Sequence, residues 1–169
     1  MAVQTEMERG NKPGILIADL HFRPAELDIS ALTRADLVFD GVDHSGMSYE
    51  VRAFLNNPEA DETTPRTLEQ GYGGRFVVFG HGGCYGDIGH CDVPTERRPP
   101  HDLRLAHSLI PETKIVTVTE ALGHVLREGS GELTSVTLVP TSKDPLIENR
   151  GLTEDLFKFD SVELRTYYT

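Results

Sequence analysis

The sequence predicts an all-β protein: an antiparallel β-sandwich of about seven strands with one short helix and a long loop rich in glycine, cysteine and histidine. Apolar and polar residues alternate at a period of two in at least five segments, as in strands that bury one face. Turn signals containing glycine and proline separate these segments. Strands do not alternate with long amphipathic helices along the sequence, which disfavours a parallel α/β sheet.

The first three strands are predicted at residues 14–22, 35–40 and 48–55. The first is almost continuously apolar, and the second contains the β-favouring run Leu-Val-Phe. In the third, every second residue from Tyr49 to Leu55 is apolar, so that one face of the strand is predicted to be buried.

Four further strands follow a polar loop at residues 56–65, which contains two prolines. They are predicted at residues 74–80, 114–119, 133–140 and 157–168, where β-branched and aromatic residues are frequent.

One short helix is predicted at residues 120–127, with Thr119 as its N-cap and its end at Gly129. Its apolar residues recur at helical spacing: Ala121, Leu122, Val125 and Leu126.

The length of 169 residues predicts a single domain. We expect a flexible N-terminal tail at residues 1–13 and one sandwich domain at residues 14–169, with an insertion loop at residues 80–110. The net charge of −11 argues against binding to nucleic acid or to anionic membrane surfaces. Since the sequence shows neither a signal-peptide pattern nor a run of ~18 apolar residues, we expect a cytoplasmic protein.

The insertion loop contains the most informative pattern, His-x2-Cys-x5-His-Cys, within a glycine-rich stretch. Thiolate and imidazole are preferred ligands of copper and zinc, and glycine-rich backbone lets side chains converge. We predict a metal site, with copper favoured and zinc as the alternative. Its candidate ligands are His81, Cys84, His90, Cys91, His101 and His107.

Other interpretations of this loop remain open. Cys84 and Cys91 are close enough in sequence for a disulfide, and either thiol could be a nucleophile with a neighbouring histidine as base. Two histidines elsewhere, His21 and His44, are weaker candidates because a lone histidine discriminates poorly between structural and functional roles.

The order of several segments resembles a known domain. A strand followed by a loop (Tyr49 to Pro58) precedes the Gly-Arg-Phe-Val-Val-Phe-Gly strand (Gly74 to Gly80). A segment with a capped short helix follows (Val116 to Leu122). The last two segments are a Val-Thr-Leu-Val-Pro strand (Ser135 to Pro140) and a Lys-Phe-Asp segment (Lys158 to Asp160). This order is similar to that of the C-terminal β-sandwich domain of plant polyphenol oxidases and of hemocyanin- or tyrosinase-type type-3 copper proteins. The resemblance covers residues 14–168.

The resemblance implies a cover domain. In that family the copper-ligating histidines lie on a separate helical bundle, and the sandwich packs over the copper site. The chain contains no such bundle and has the insertion His81 to His107 in place of a short loop. We therefore expect a free-standing accessory protein that delivers metal to, or shields, a separate type-3 copper oxidase or another protein partner. The alternatives are a small metalloenzyme acting on a phenol or a peptide, with its site in the His81–His107 loop, and an interaction module without metal.

Overall fold

The computed structural model describes residues 7–10, 14–22, 29–81, 101, 109–142 and 156–169. These residues form eight strands, one α-helix and two short 3-10 turns, Ile29–Ala31 and Leu68–Gln70. The strands and the helix are, in chain order, β1 (Met7–Arg9), β2 (Leu16–Phe22), β3 (Leu32–Val42), β4 (Tyr49–Leu55), β5 (Tyr72–Val78), β6 (Glu112–Thr117), α1 (Thr119–Glu128), β7 (Leu133–Thr141) and β8 (Ser161–Tyr168).

The strands form two sheets in which every pairing is antiparallel. The larger sheet has the order β1-β2-β7-β4-β5, and the smaller has the order β6-β3-β8. The predicted all-β antiparallel sandwich is confirmed, and each of the seven predicted strands is present. The eighth strand, β1, lies within the segment predicted as a tail and pairs with β2.

The core lies between the two sheets. Side chains of β4 from the larger sheet, such as Val51 and Ala53, are buried together with Leu37 and Phe39 of β3 from the smaller sheet. Phe39 belongs to an aromatic cluster, and its ring centroid lies 5.0 Å from that of Phe76, 6.1 Å from that of Phe157 and 5.7 Å from that of Phe159. Such tilted and edge-on contacts add to the stabilisation from burial alone.

Helix α1 covers one part of this core with the apolar face that its periodicity predicts: Ala121, Leu122, Val125 and Leu126 are all buried. The helix ends as predicted, with the Gly129 N–H bonded to the Val125 carbonyl. The predicted N-cap is wrong: Val118 is the N-cap, and Thr119 is the first helical residue. The Thr119 hydroxyl instead accepts a hydrogen bond from the Ala35 N–H of β3 at 2.9 Å. It therefore links the helix to the smaller sheet.

No helix in the described part of the chain is long and apolar enough to cross a membrane.

The edge strands β5 and β6 lie side by side, so that the two sheets meet along this side of the sandwich. Gly74 has a φ of 141°, and a Cβ atom there would lie 2.7 Å from Cγ1 of Val116. Only glycine allows both this backbone conformation and this close approach. The chain between β5 and β6 contains the insertion loop, so both ends of the loop begin at this junction.

Candidate functional site

The six candidate metal ligands divide into two groups. His81 lies three residues beyond the end of β5, and His101 is exposed. The other four lie outside the described residues: Cys84, His90, Cys91 and His107. Of these candidates, His81 has contacts with other described residues.

His81 makes two contacts with the same atom, the backbone carbonyl oxygen of His44. Its backbone N–H donates to this oxygen at 3.1 Å, and its ring Nδ1 lies 3.3 Å from it. Because a carbonyl oxygen only accepts, Nδ1 must carry the proton for this bond to form. In the neutral ring Nε2 is then an unprotonated acceptor. Metal-ligating histidines typically have this arrangement, in which the second ring nitrogen donates to a carbonyl or carboxylate.

His44 is buried, with 4% of its surface exposed, and its ring packs edge-on against His81 with 4.9 Å between the ring centroids. Its Nε2 lies 2.9 Å from the carbonyl oxygen of Ile110, so Nε2 carries a proton. Its Nδ1 lies 4.0 Å from a carboxylate oxygen of Glu112. His44 thus contacts His81 at the first end of the insertion loop and Ile110 at the second, and holds the two ends together.

The turn between β3 and β4 provides the platform for these contacts. The Ser45 N–H donates to the Asp43 carboxylate at 2.8 Å and shapes the turn. Gly80 lies directly on this turn: a Cβ atom there would be 2.2 Å from the carbonyl oxygen of Gly46. The Gly80 N–H also donates to the Ser48 hydroxyl at 3.0 Å. The backbone of the loop can reach His44 because residue 80 has no side chain.

Two carboxylates lie close to the histidines, and Lys114 Nζ is 2.5 Å from one of them, that of Glu112. The hydrogen bond and the charge of Lys114 lower the pKa of Glu112. Burial favours the neutral form of Asp43, but hydrogen bonds from Ser45 outweigh it and lower the pKa of Asp43. Both groups are therefore ionised at neutral pH, which favours a cation bound nearby.

Within the described residues, no three side chains of His, Cys, Asp or Glu are arranged to hold a metal ion. His81 would need ligands from the part of the loop that lies outside them. His44 was only a weak candidate from the sequence, because its partners His81 and Ile110 are 37 and 66 residues away. The only local signal was its place in a turn between two strands.

The chain has the fold of part of a polyphenol oxidase. No protein-family model matches the chain, and no curated protein matches it in sequence. Among solved structures, recombinantly expressed latent aurone synthase, a polyphenol oxidase, is 18% identical with a TM-score of 0.51, over 96% of this chain and 25% of that one. Latent aurone synthase from its natural source is 18% identical with a TM-score of 0.50, over 95% of this chain and 25% of that one. The recombinant enzyme co-crystallised with hexatungstotellurate(VI) and soaked in H2O2 is 20% identical with a TM-score of 0.50, over 97% and 26%.

The chain therefore spans about a quarter of the length of these polyphenol oxidase chains. The likeness is one of fold, and it confirms the resemblance that the order of segments indicated.

Proposed function

We propose that this chain is a metal-binding accessory domain of the tyrosinase cover type. It binds copper, with zinc as the alternative, through its insertion loop, and it delivers the metal to, or shields, the type-3 copper site of a partner protein or domain. The observation that carries the proposal is the shared fold: almost the whole chain matches one quarter of polyphenol oxidase chains.

The orientation of His81 supports a metal at the base of the loop. Because Nδ1 of His81 donates its proton to the His44 carbonyl, Nε2 of the neutral ring has a lone pair that can bind a metal ion. Copper(I) and zinc both accept imidazole and thiolate ligands, which the sequence supplies at Cys84, His90 and Cys91. His101 or His107 would complete the shell. Bound copper would supply a soft Lewis acid that can be passed to a partner.

Metal titration tests this proposal directly. Zinc(II), or copper(I) under anaerobic conditions, is titrated into metal-free protein, and stoichiometric binding is expected. The double variant His81→Ala, His90→Ala should bind much more weakly, because two of the proposed ligands are lost.

A matched control is His124→Ala, which removes a histidine on the surface of α1, where it contacts Glu128. The control should bind metal as the unmodified protein does. Equal binding by the double variant and the unmodified protein would contradict the proposed ligands. Because the metal displaces protons from thiol and imidazole, affinity should also fall as the pH is lowered.

Two further measurements separate the accessory role from the alternatives. Turnover of a catechol or a monophenol by the isolated, copper-loaded chain would favour the small metalloenzyme. Transfer of copper to a metal-free type-3 copper oxidase, measured as recovery of its activity, is the result expected of an accessory protein. If the chain binds no metal and transfers none, the interaction module without metal is the better interpretation.

A further inference from the structure

A second cluster of charged side chains lies on the outer face of the larger sheet, away from the histidines. Three arginines surround a single carboxylate, that of Glu50 on β4. Arg52 Nε lies 2.8 Å and Arg66 Nη2 lies 3.0 Å from one oxygen of Glu50, and Arg75 donates to the other. Arg52 Nη1 also donates to the backbone carbonyl of Glu62 at 2.8 Å. Three guanidinium groups therefore share the Glu50 carboxylate, an excess of arginine side chains at this site on a chain whose net charge is −11.

This excess has an energetic cost. Arg52 and Arg75 are direct cross-strand partners on β4 and β5, and like charges at such positions repel each other. Burial favours the neutral form of Glu50, but the hydrogen bonds from Arg52 and Arg75 outweigh it and lower the pKa of Glu50. The carboxylate thus stays ionised and holds the three guanidinium groups together.

Two of the three guanidinium groups are accessible. The side chains of Arg66 and Arg75 are 42% and 52% exposed, whereas that of Arg52 is 14% exposed. A guanidinium group has five N–H donors, and each of the two exposed groups gives one nitrogen to Glu50. The remaining donors suit the planar, bidentate recognition of a second carboxylate.

Arg75 also begins a row of exposed side chains along β5 and the residue that follows it, Phe79. Phe76 and Val78 point into the core, whereas Arg75, Val77 and Phe79 alternate with them and face solvent. Phe79 is 75% exposed, which is unusual for so large an apolar side chain. Because every second residue of an extended strand faces the same way, the row offers one charged and two apolar positions at regular spacing.

From this arrangement we infer a docking surface for an extended acidic segment of a partner polypeptide, in which a carboxylate binds Arg66 and Arg75 and apolar side chains cover Val77 and Phe79. Charge complementarity selects this occupant, since three guanidinium groups share one carboxylate at this surface and two of them are exposed. The inference goes beyond the proposed function and does not depend on metal binding.

The test uses a capped pentapeptide with matching spacing, acetyl-Glu-Ser-Leu-Ser-Phe-amide, and a control peptide with glutamine in place of glutamate. Binding to the full chain is followed by amide chemical shifts in NMR. The glutamate peptide should shift the amides of Arg75, Val77 and Phe79 with a dissociation constant in the millimolar range, and the glutamine peptide should bind more weakly. Each of the variants Arg66→Gln and Arg75→Gln should weaken binding about twofold to fivefold, as expected for an exposed ion pair.

The matched control is Arg165→Gln, which removes an exposed arginine that is paired with Glu163 on β8 of the smaller sheet. This variant should bind the glutamate peptide as tightly as the unmodified protein. The inference is overturned if neither peptide binds, if the two peptides bind equally, or if Arg165→Gln weakens binding as much as Arg75→Gln.

Discussion

Each of the two sheets holds a carboxylate that is paired with arginine, and the two sites differ in the number of arginines. Asp36, on β3 of the smaller sheet, is 3% exposed; it faces Arg34 Nε at 2.7 Å and accepts a hydrogen bond from the Thr117 hydroxyl at 2.8 Å. Glu50, on β4 of the larger sheet, faces three arginines and is more exposed.

The numbers of arginines and their exposure distinguish a charged pair within the fold from a charged cluster that can bind a partner. At Asp36 one buried carboxylate pairs with one arginine, Arg34, whose side chain is 55% exposed, and Thr117 adds a hydrogen bond. At Glu50 the guanidinium groups outnumber the carboxylate, and two of them are accessible. Leaving a buried carboxylate without its partners is costly to the fold, whereas exposed guanidinium groups that share one carboxylate leave donors for a partner.

Acid should have the largest effect, because it discharges both carboxylates at once. Burial alone would raise the pKa of Asp36 and of Glu50, but their hydrogen bonds to arginine lower both pKa values below the ordinary 3.8 and 4.5. In acid the unfolded chain therefore binds more protons than the folded one. The stabilisation is complete above a pH of about 4.5 and is lost as the pH falls through the lowered pKa values.

This prediction is checked by urea unfolding between pH 7 and pH 2. The double variant Asp36→Asn, Glu50→Gln should lose less free energy of unfolding over this range than the unmodified protein. Parallel curves would show that neither carboxylate contributes to the acid sensitivity.

The next largest effect is expected from Asp36→Asn. The variant keeps the shape of the side chain but removes the charge-assisted hydrogen bond between Arg34 and the buried carboxylate. The free energy of unfolding should therefore fall by about 2–3 kcal/mol. The control Asp40→Asn lies on the same strand, where a partly buried aspartate accepts a hydrogen bond from Thr113. It should change the free energy of unfolding by no more than about 0.5 kcal/mol. Equal losses from the two variants would mean that the burial of Asp36 has no energetic consequence.

Glu50→Gln should have a smaller effect, a loss of about 1–2 kcal/mol, because the site is only partly buried but three guanidinium groups lose their common counter-charge. The loss should increase at low salt, where repulsion between Arg52 and Arg75 is screened less. As a comparison, Glu163→Gln removes a carboxylate with a single arginine partner and should show little dependence on salt. Urea unfolding at two salt concentrations measures both. An effect of Glu50→Gln that does not depend on salt would argue against repulsion among the arginines.

The smallest effect on stability is expected from Arg75→Gln. The side chain is half exposed and Glu50 keeps two other arginine partners, so the midpoint of urea unfolding should stay close to that of the unmodified protein. The same variant should nevertheless weaken binding of the acidic peptide. A large loss of stability in this variant would show that Arg75 stabilises the fold, as the partners of Asp36 do.

The positions of the strands follow from the sequence because each depends on local alternation. In β4, residues 49, 51, 53 and 55 are buried, as their apolar character indicates, and Gly129 ends the helix where the apolar periodicity stops. Local pattern did not reveal the start of β8, which was predicted at residue 157 but lies at Ser161. The apolar Phe157 packs on Phe39 in the core without belonging to a strand, so its apolar character did not mark the start of β8.

Contacts between distant segments were decided by the tertiary structure. The sequence identified His81 as a candidate ligand, but that its Nδ1 faces the His44 carbonyl depends on residues 37 positions apart meeting at the β3–β4 turn. Likewise, Glu50 and Arg75 are 25 residues apart and meet because β4 pairs with β5. Composition and period act over a few neighbouring residues and therefore determine elements and buried faces. Which side chains converge on one atom depends on strand order and register, and these are set by the packing of the whole chain.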